Sequence, residues 1–154
     1  MNWSVLSDPK ANLSDETKAA LDKLDTDARR NLLQELGKIV NKKLAEMISP
    51  WFSSGLHDWA DIDVYAAEMR EDVLVLHFIA DHYNYCFAQS GSDWADHYLF
   101  DGELHLVGGK RMHETFALVS EVHLTERQHD DYSSQETVEA VRARMLAKLP
   151  GHSQ

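Results

Sequence analysis

The tetrapeptide Ala-Asp-His-Tyr occurs twice, at residues 80–83 and 95–98, and each copy holds an acid and an imidazole suited to general acid–base chemistry. In that chemistry a carboxylate orients the histidine that moves the proton. Within each copy, however, the acid and the histidine are adjacent, and adjacent side chains of a strand point to opposite faces. An acid cannot orient the histidine beside it, so the sequence predicts no catalytic residue here.

Three predicted strands each carry a histidine between apolar neighbours, namely His77, His105 and His123. In a suitable register these imidazoles share one face of a sheet with Glu103 and Glu121, a set that could bind zinc or iron. The three histidines do not occur in an HxH or HExxH motif, whose spacing would preorganise them as ligands. Since histidines are common on the less buried side of a sheet, we predict neither a metal nor a cofactor.

Cys86, the only cysteine, lies between Tyr85 and Phe87 with no lysine or arginine within ten positions to favour its thiolate. We expect a buried thiol that acts as a small apolar group. The chain also lacks GxxxxGK[ST] and GxGxxG, so no nucleotide site is predicted.

The charge of the chain is acidic and unevenly distributed. The 154 residues have a formal net charge of −11, and residues 51–110 contribute −9, with two basic and eleven acidic side chains. Because nucleic-acid binding needs basic groups that replace counterions, direct nucleic-acid binding is not predicted. The lone cysteine, the absence of a signal-peptide pattern and the lack of roughly 18 consecutive apolar residues predict a cytoplasmic protein without a membrane span.

Periodicity predicts the helices that must position these side chains. A first helix is predicted over residues 14–24, with Ser14 as its cap, and a second over residues 25–48, where leucines and isoleucines recur at helical spacing. A last helix begins at residue 133 or 134. Its apolar stripe consists of Val138, Val141, Met145 and Leu149.

Alternation and turn residues predict the strands. Residues 62–69 and 73–80 read as two paired strands. Asp101-Gly102 is typical of a type I′ hairpin turn, and Gly108-Gly109 turns into a further strand over residues 114–124. Together with the helices, these strands predict one α+β domain over residues 1–154: an antiparallel β-meander with two N-terminal helices and one C-terminal helix packed on it.

Residues 51–100 combine the acid excess with eleven of the fourteen aromatic side chains. Two tryptophans lie in similar acidic stretches, HDWAD at 57–61 and SDWAD at 92–96, which we predict to be loops. Tryptophan and tyrosine are favoured interface anchors, and carboxylates speed encounter with a basic partner. The predicted contact surface consists of Asp58, Trp59, Asp61, Asp63, Asp93, Trp94, Asp96 and Tyr98.

A small, acidic, single-domain chain without a catalytic motif, in which acids and aromatics are concentrated together, resembles the immunity proteins that bacteria make against their own toxins. Examples protect against contact-dependent inhibition, colicins and other polymorphic nuclease toxins. The resemblance covers size, charge and architecture over the whole chain and involves no sequence motif. It implies tight binding to a basic toxin domain, often a nuclease, whose active site is blocked. Such a surface could equally mimic DNA toward a nucleic-acid-binding partner.

Two other functions fit the same sequence. An enzyme or a small-ligand or metal-binding protein, similar in outline to cone-shaped NTF2-like domains, would use a pocket lined by Tyr83, Tyr85, Tyr98, His77 and His105. The predicted C-terminal helix departs from that outline. A homo-oligomer would instead bury its aromatic side chains against a second copy of the chain.

Overall fold

The computed structural model describes residues 2–8, 11–47, 61–86, 94–125 and 138–147. Among the helices in these ranges, none has the length and apolar character needed to cross a membrane. The described elements form an α+β fold with one antiparallel sheet, as predicted.

Four helices flank the sheet within the described ranges: α1 (Ser4–Ser7), α2 (Asp15–Asp22), α3 (Thr26–Met47) and α4 (Val138–Ala147). The predicted cap of α2 is confirmed, because the Thr17 N–H donates to Ser14 Oγ at 3.1 Å. The Asp25 carboxylate accepts from the Ala28 N–H at 2.8 Å and so satisfies a free donor at the start of α3. The short helix α1 was not predicted. The predicted start of the last helix and Leu149 lie outside the described residues.

The strands follow one another in the sheet in the order β1-β2-β3-β4, all antiparallel: β1 (Asp61–Arg70), β2 (Val73–Cys86), β3 (Trp94–Val107) and β4 (Lys110–Thr125). This confirms the predicted meander, although β2 and β4 are longer than predicted. The predicted turn at Gly108-Gly109 is also confirmed. Both glycines have positive φ, 58° and 79°, as a tight two-residue hairpin turn requires.

The hairpin predicted at Asp101-Gly102 is wrong. β3 continues through both residues, which pair with β2 on one side and with β4 on the other. A Cβ at position 102 would overlap the carbonyl oxygen of Thr115 and lie 2.5 Å from the Cβ of Phe116. Glycine therefore serves here to admit the close approach of β4, not to form a turn.

The two faces of the sheet differ in what covers them. On one face, which we call the helical face, α1, α2 and α3 form the main core with alternate strand residues such as Leu76, Phe78 and Phe100. The opposite face carries Glu68, His77, Ile79, Asp81, Leu99, Asp101, Glu103 and His105, and we call it the open face. In the described part of the chain, only α4 packs on the open face, through Val141 and Met145.

The N-terminal segment extends the sheet at the edge of β1. The Asn2 N–H donates to the Ile62 carbonyl at 2.8 Å, and the Asn2 carbonyl accepts from the Val64 N–H at 3.0 Å. The hydroxyl of Ser4 donates to the Asp63 carboxylate at 2.6 Å. These contacts fix α1 against the edge strand.

Candidate functional site

The two ADHY copies lie side by side on β2 and β3. Their antiparallel register pairs His82 with Tyr98 and Tyr83 with His97. A hydrogen bond of 2.9 Å between Nδ1 of His97 and Oδ1 of Asp81 joins the copies. The acid of one copy therefore orients the histidine of the other, a relation that neither copy reveals alone.

Arg142 of α4 completes a cluster around this pair. Its Nη2 donates to the hydroxyl of Tyr65 at 3.0 Å, and its Nη1 lies 3.7 Å from Oδ2 of Asp81. Burial raises the pKa of Tyr65, and the hydrogen bond from Arg142 offsets this only in part. We call Tyr65, Asp81, His97 and Arg142 the Arg142 cluster, and it holds α4 on the open face.

A second group of polar side chains lies toward the other end of the open face, and we call it the Arg70 cluster: Glu68, Arg70, His77, Glu103, His105 and His113. Arg70 donates hydrogen bonds from both terminal nitrogens to the Glu103 carboxylate, at 3.0 and 3.1 Å. It also donates from Nε to Glu68 at 2.9 Å. The carboxylates also bind imidazoles. Nε2 of His77 lies 2.7 Å from Glu68, and Nε2 of His105 lies 2.9 Å from Glu103.

These contacts keep both carboxylates of the Arg70 cluster ionised. The hydrogen bonds from Arg70 are the main cause of the lowered pKa of Glu103, and they outweigh burial, which acts in the opposite direction. Burial alone would raise the pKa of Glu68, but the hydrogen bonds from Arg70 and His77 lower it below its ordinary value. The hydrogen bonds from Glu103 and Glu68 in turn raise the pKa of Arg70. The cluster is therefore a charge network at neutral pH.

His113 of β4 extends this network to the surface. It is exposed and is the direct partner of His105 in the β3–β4 ladder. The two imidazole centres lie 4.3 Å apart, with 31° between the ring planes. His113 was not among the predicted site residues.

The predicted three-histidine metal set is assembled only in part. His77, His105 and Glu103 share the open face, whereas the side chains of His123 and Glu121 lie outside the described residues. Among the side chains that are described, no three or more histidines, cysteines, aspartates or glutamates are placed to hold one metal ion together.

A cleft of about 490 Å³ opens beside the Arg70 cluster, lined by His77, Asp101, Gly102, Glu103, Thr115, Phe116 and Ala117. The pocket predicted from His77, His105 and three tyrosines does not form as expected, because Tyr98 is buried on the helical face while both histidines lie on the open face. The side chains of Tyr83 and Tyr85 are outside the described part.

Three described members of the predicted contact surface lie at one end of the sheet. Asp61 is exposed at the start of β1, and Trp94 and Asp96 lie at the start of β3, which runs in the same direction. Trp94 was predicted in a loop and instead begins a strand. For Trp94 and Asp96 the structure defines the strand position only. Outside the described residues lie Asp58, Trp59 and Asp93.

Two members of that predicted surface are buried. Asp63 is 8% exposed and its carboxylate is engaged by Ser4, and Tyr98 is 4% exposed within the main core. Neither side chain is accessible to a partner in this fold, so both must be removed from the contact surface. Strand alternation explains Tyr98, since it faces the helices while its neighbours His97 and Leu99 face the open side.

The two arginines that organise the open face, Arg70 and Arg142, were absent from the predicted site residues, although His77, His105 and Glu103 were among the candidates. Arg70 carried a usable signal, because it is one of two basic residues among eleven acids in residues 51–110. Arg142 carried none, since its partner Tyr65 lies 77 residues earlier in the chain.

Comparisons of the chain with protein-family models, with curated proteins and with solved structures found no match.

Proposed function

We propose that this chain is an immunity protein of the bacterial cytoplasm, which binds a basic toxin domain, in the simplest case a nuclease, and blocks its action. The observation that carries the proposal is the charge of −9 concentrated in residues 51–110. Arg70, one of the two cations of this segment, is held by Glu68 and Glu103. It is therefore not available to neutralise the acids elsewhere in the segment.

Part of this charge lies toward the same end of the sheet. Asp61 pairs with Asp81, and Asp96 pairs with Asn84, three residues further along β2. At about 3.3 Å per residue, the two positions are offset by about 10 Å along the strands, and because the offset is an odd number of residues they belong to opposite faces of the sheet. Asp61, the last residue of HDWAD, and Trp94 and Asp96 of SDWAD thus lie at the same end of the sheet, which we call the DWAD end.

Acids and tryptophans suit the capture of a basic protein. Carboxylates accelerate encounter with a positive surface and can occupy sites that a nuclease provides for phosphates. Tryptophans supply large apolar contacts once the partners meet. The association rate should fall as salt screens the charges, because the Debye length is about 8 Å at physiological ionic strength.

The function is tested by capture followed by neutralisation. The tagged chain is used to retain proteins from its source cells at low and moderate salt, and each retained protein is identified by mass spectrometry. The captured protein is then expressed alone and together with this chain. We expect one basic protein that arrests growth alone and is harmless in the presence of the chain. Growth arrest that persists with the chain, or a captured protein that is harmless alone, would overturn the proposal.

A matched pair of double variants tests the location of the surface. Asp93→Lys with Asp96→Lys reverses two charges of the SDWAD stretch, and Glu71→Lys with Asp72→Lys reverses two exposed charges at the β1–β2 turn, at the end of the sheet opposite Asp96. We expect the first variant to slow association about tenfold and to reduce its salt dependence. The second should have little effect. If both double variants slowed association equally, the effect would be due to net charge, and the DWAD end would not be the contact surface.

A further inference from the structure

We infer that His105 and His113 form a two-histidine binding site for a divalent late transition-metal ion, with Cu²⁺ bound more tightly than Ni²⁺ or Zn²⁺. The affinity order follows the general preference of nitrogen ligands among these ions. The site lies on the Arg70 cluster and does not depend on the proposed toxin-binding function.

The first support is the placement of the two imidazoles. His105 and His113 are directly opposite each other on β3 and β4, with ring centres 4.3 Å apart. Two nitrogens in neighbouring positions of a tetragonal Cu²⁺ ion, 90° apart, lie about 3 Å from each other when each metal–nitrogen bond is about 2.1 Å. Because His113 is exposed, its ring can rotate to that spacing without disturbing the core.

The second support is the carboxylate behind His105. Glu103 lies 2.9 Å from Nε2 of His105, so it can accept the Nε2 proton and leave the lone pair of Nδ1 for a metal. Metal-binding histidines almost always donate their second N–H to such an acceptor, which fixes the tautomer and the ring orientation. Arg70 in turn holds Glu103 with two hydrogen bonds.

The third support is the availability of ligand atoms. No hydrogen bond from a described residue engages either nitrogen of His113. His77, on the same face, is different, because it is buried and its Nε2 contacts Glu68. Since no third ligand is placed with the pair among the described side chains, water would fill the other coordination positions.

The test is a titration of the untagged full-length chain with CuCl₂, followed by calorimetry and by electron paramagnetic resonance. We expect one tightest site whose nitrogen hyperfine pattern corresponds to two imidazoles. His113→Asn should lower the affinity of this site at least tenfold, and Glu103→Gln should lower it about 10- to 100-fold by loosening His105.

His97→Asn is the control, because the chain contains nine histidines and His97 belongs to the Arg142 cluster. It should leave the tightest site unchanged. Equal loss of affinity in the His97 and His113 variants, or a wild-type spectrum without two imidazole nitrogens, would overturn the inference. Circular dichroism checks that each variant is folded, and an equimolar amount of ZnCl₂ should displace little of the copper signal, because Cu²⁺ is bound more tightly. Toxin neutralisation plays no part in these measurements, so the two proposals can fail separately.

Discussion

The carboxylate of Asp81 lies 2.9 Å from the imidazole of His97, although the two residues belong to different copies of the ADHY tetrapeptide. Its second oxygen lies 3.7 Å from Arg142 of the C-terminal helix. One carboxylate therefore connects β2, β3 and α4, at a point where its own side chain is largely buried. The repeated acid and histidine thus form a cross-strand contact that holds the open face together.

Replacement of Asp81 by alanine should lower the free energy of unfolding by about 2 kcal/mol, because His97 and Arg142 lose a partly buried charged partner. Asp81→Asn should cost less, since the amide retains one acceptor oxygen. Urea unfolding at neutral pH measures both changes. Asp72→Ala is the control, an exposed acid at the β1–β2 turn for which we expect a change within about 0.5 kcal/mol. Equal effects of Asp81→Ala and Asp72→Ala would show that the cross-strand contact contributes nothing.

The fold was predictable from the sequence to the extent that its signals are local. The cap of α2 acts over three residues, from Ser14 to Thr17, and the Gly108-Gly109 turn sets the β3–β4 pairing through two residues. The clusters of the open face depend instead on long-range contacts. Arg70 and Glu103 are 33 residues apart, and their meeting requires the register of three strands, which no local pattern specifies.

Glycine illustrates the limit of local patterns. Asp-Gly at 101–102 and Gly-Gly at 108–109 are both hairpin signals. The chain turns at 108–109, between β3 and β4, and continues as a strand through 101–102. Gly102 is retained for space, since β4 approaches too closely for a side chain. Gly108 is retained for its positive φ. The residue type is the same, but the physical requirement is visible only in the folded sheet.

These two requirements predict different costs for the same substitution. Gly102→Ala introduces a Cβ into the backbone of β4 and should destabilise the protein by about 3 kcal/mol, or by more if the strands separate. Gly108→Ala has open space around it and should cost about 1 to 2 kcal/mol, from its left-handed backbone alone. Thermal unfolding of the two variants measures the difference. A Gly102 variant as stable as the Gly108 variant would contradict the steric explanation.

Glu71 is the residue at which we expect a substitution to stabilise the protein. It is exposed at the β1–β2 turn and has φ of 59°, in the left-handed region that disfavours residues with a side chain. Glu71→Gly should raise the free energy of unfolding by about 0.5 to 1 kcal/mol, because relief of strain exceeds the added chain entropy. Chemical denaturation measures the gain. Asp72→Gly is the control beside it and should not stabilise, since Asp72 lacks a positive φ.

The Arg70 cluster should make stability depend on pH in the acid range. The pKa values of Glu68 and Glu103 are lowered from their ordinary value of 4.5 in the folded protein. A group with a lowered folded pKa stabilises the fold while it is ionised, so this stabilisation is fully present above about pH 4.5 and is lost as the pH falls through the folded pKa. The free energy of unfolding should therefore decrease on acidification below pH 4.5.

Replacement of Arg70 by methionine should remove most of that dependence. The variant should be less stable than wild type by about 1 kcal/mol at neutral pH, a value reduced by the solvent exposure of Arg70, and the two proteins should converge as the pH falls through the lowered folded pKa values of Glu68 and Glu103. Arg30→Met is the matched control, because the Arg30–Asp27 pair has a similar contact of 2.8 Å but side chains that are 59% and 76% exposed. It should leave the pH profile unchanged. Urea unfolding across the acid range measures all three proteins, and parallel profiles for wild type and Arg70→Met would contradict the role given to this network.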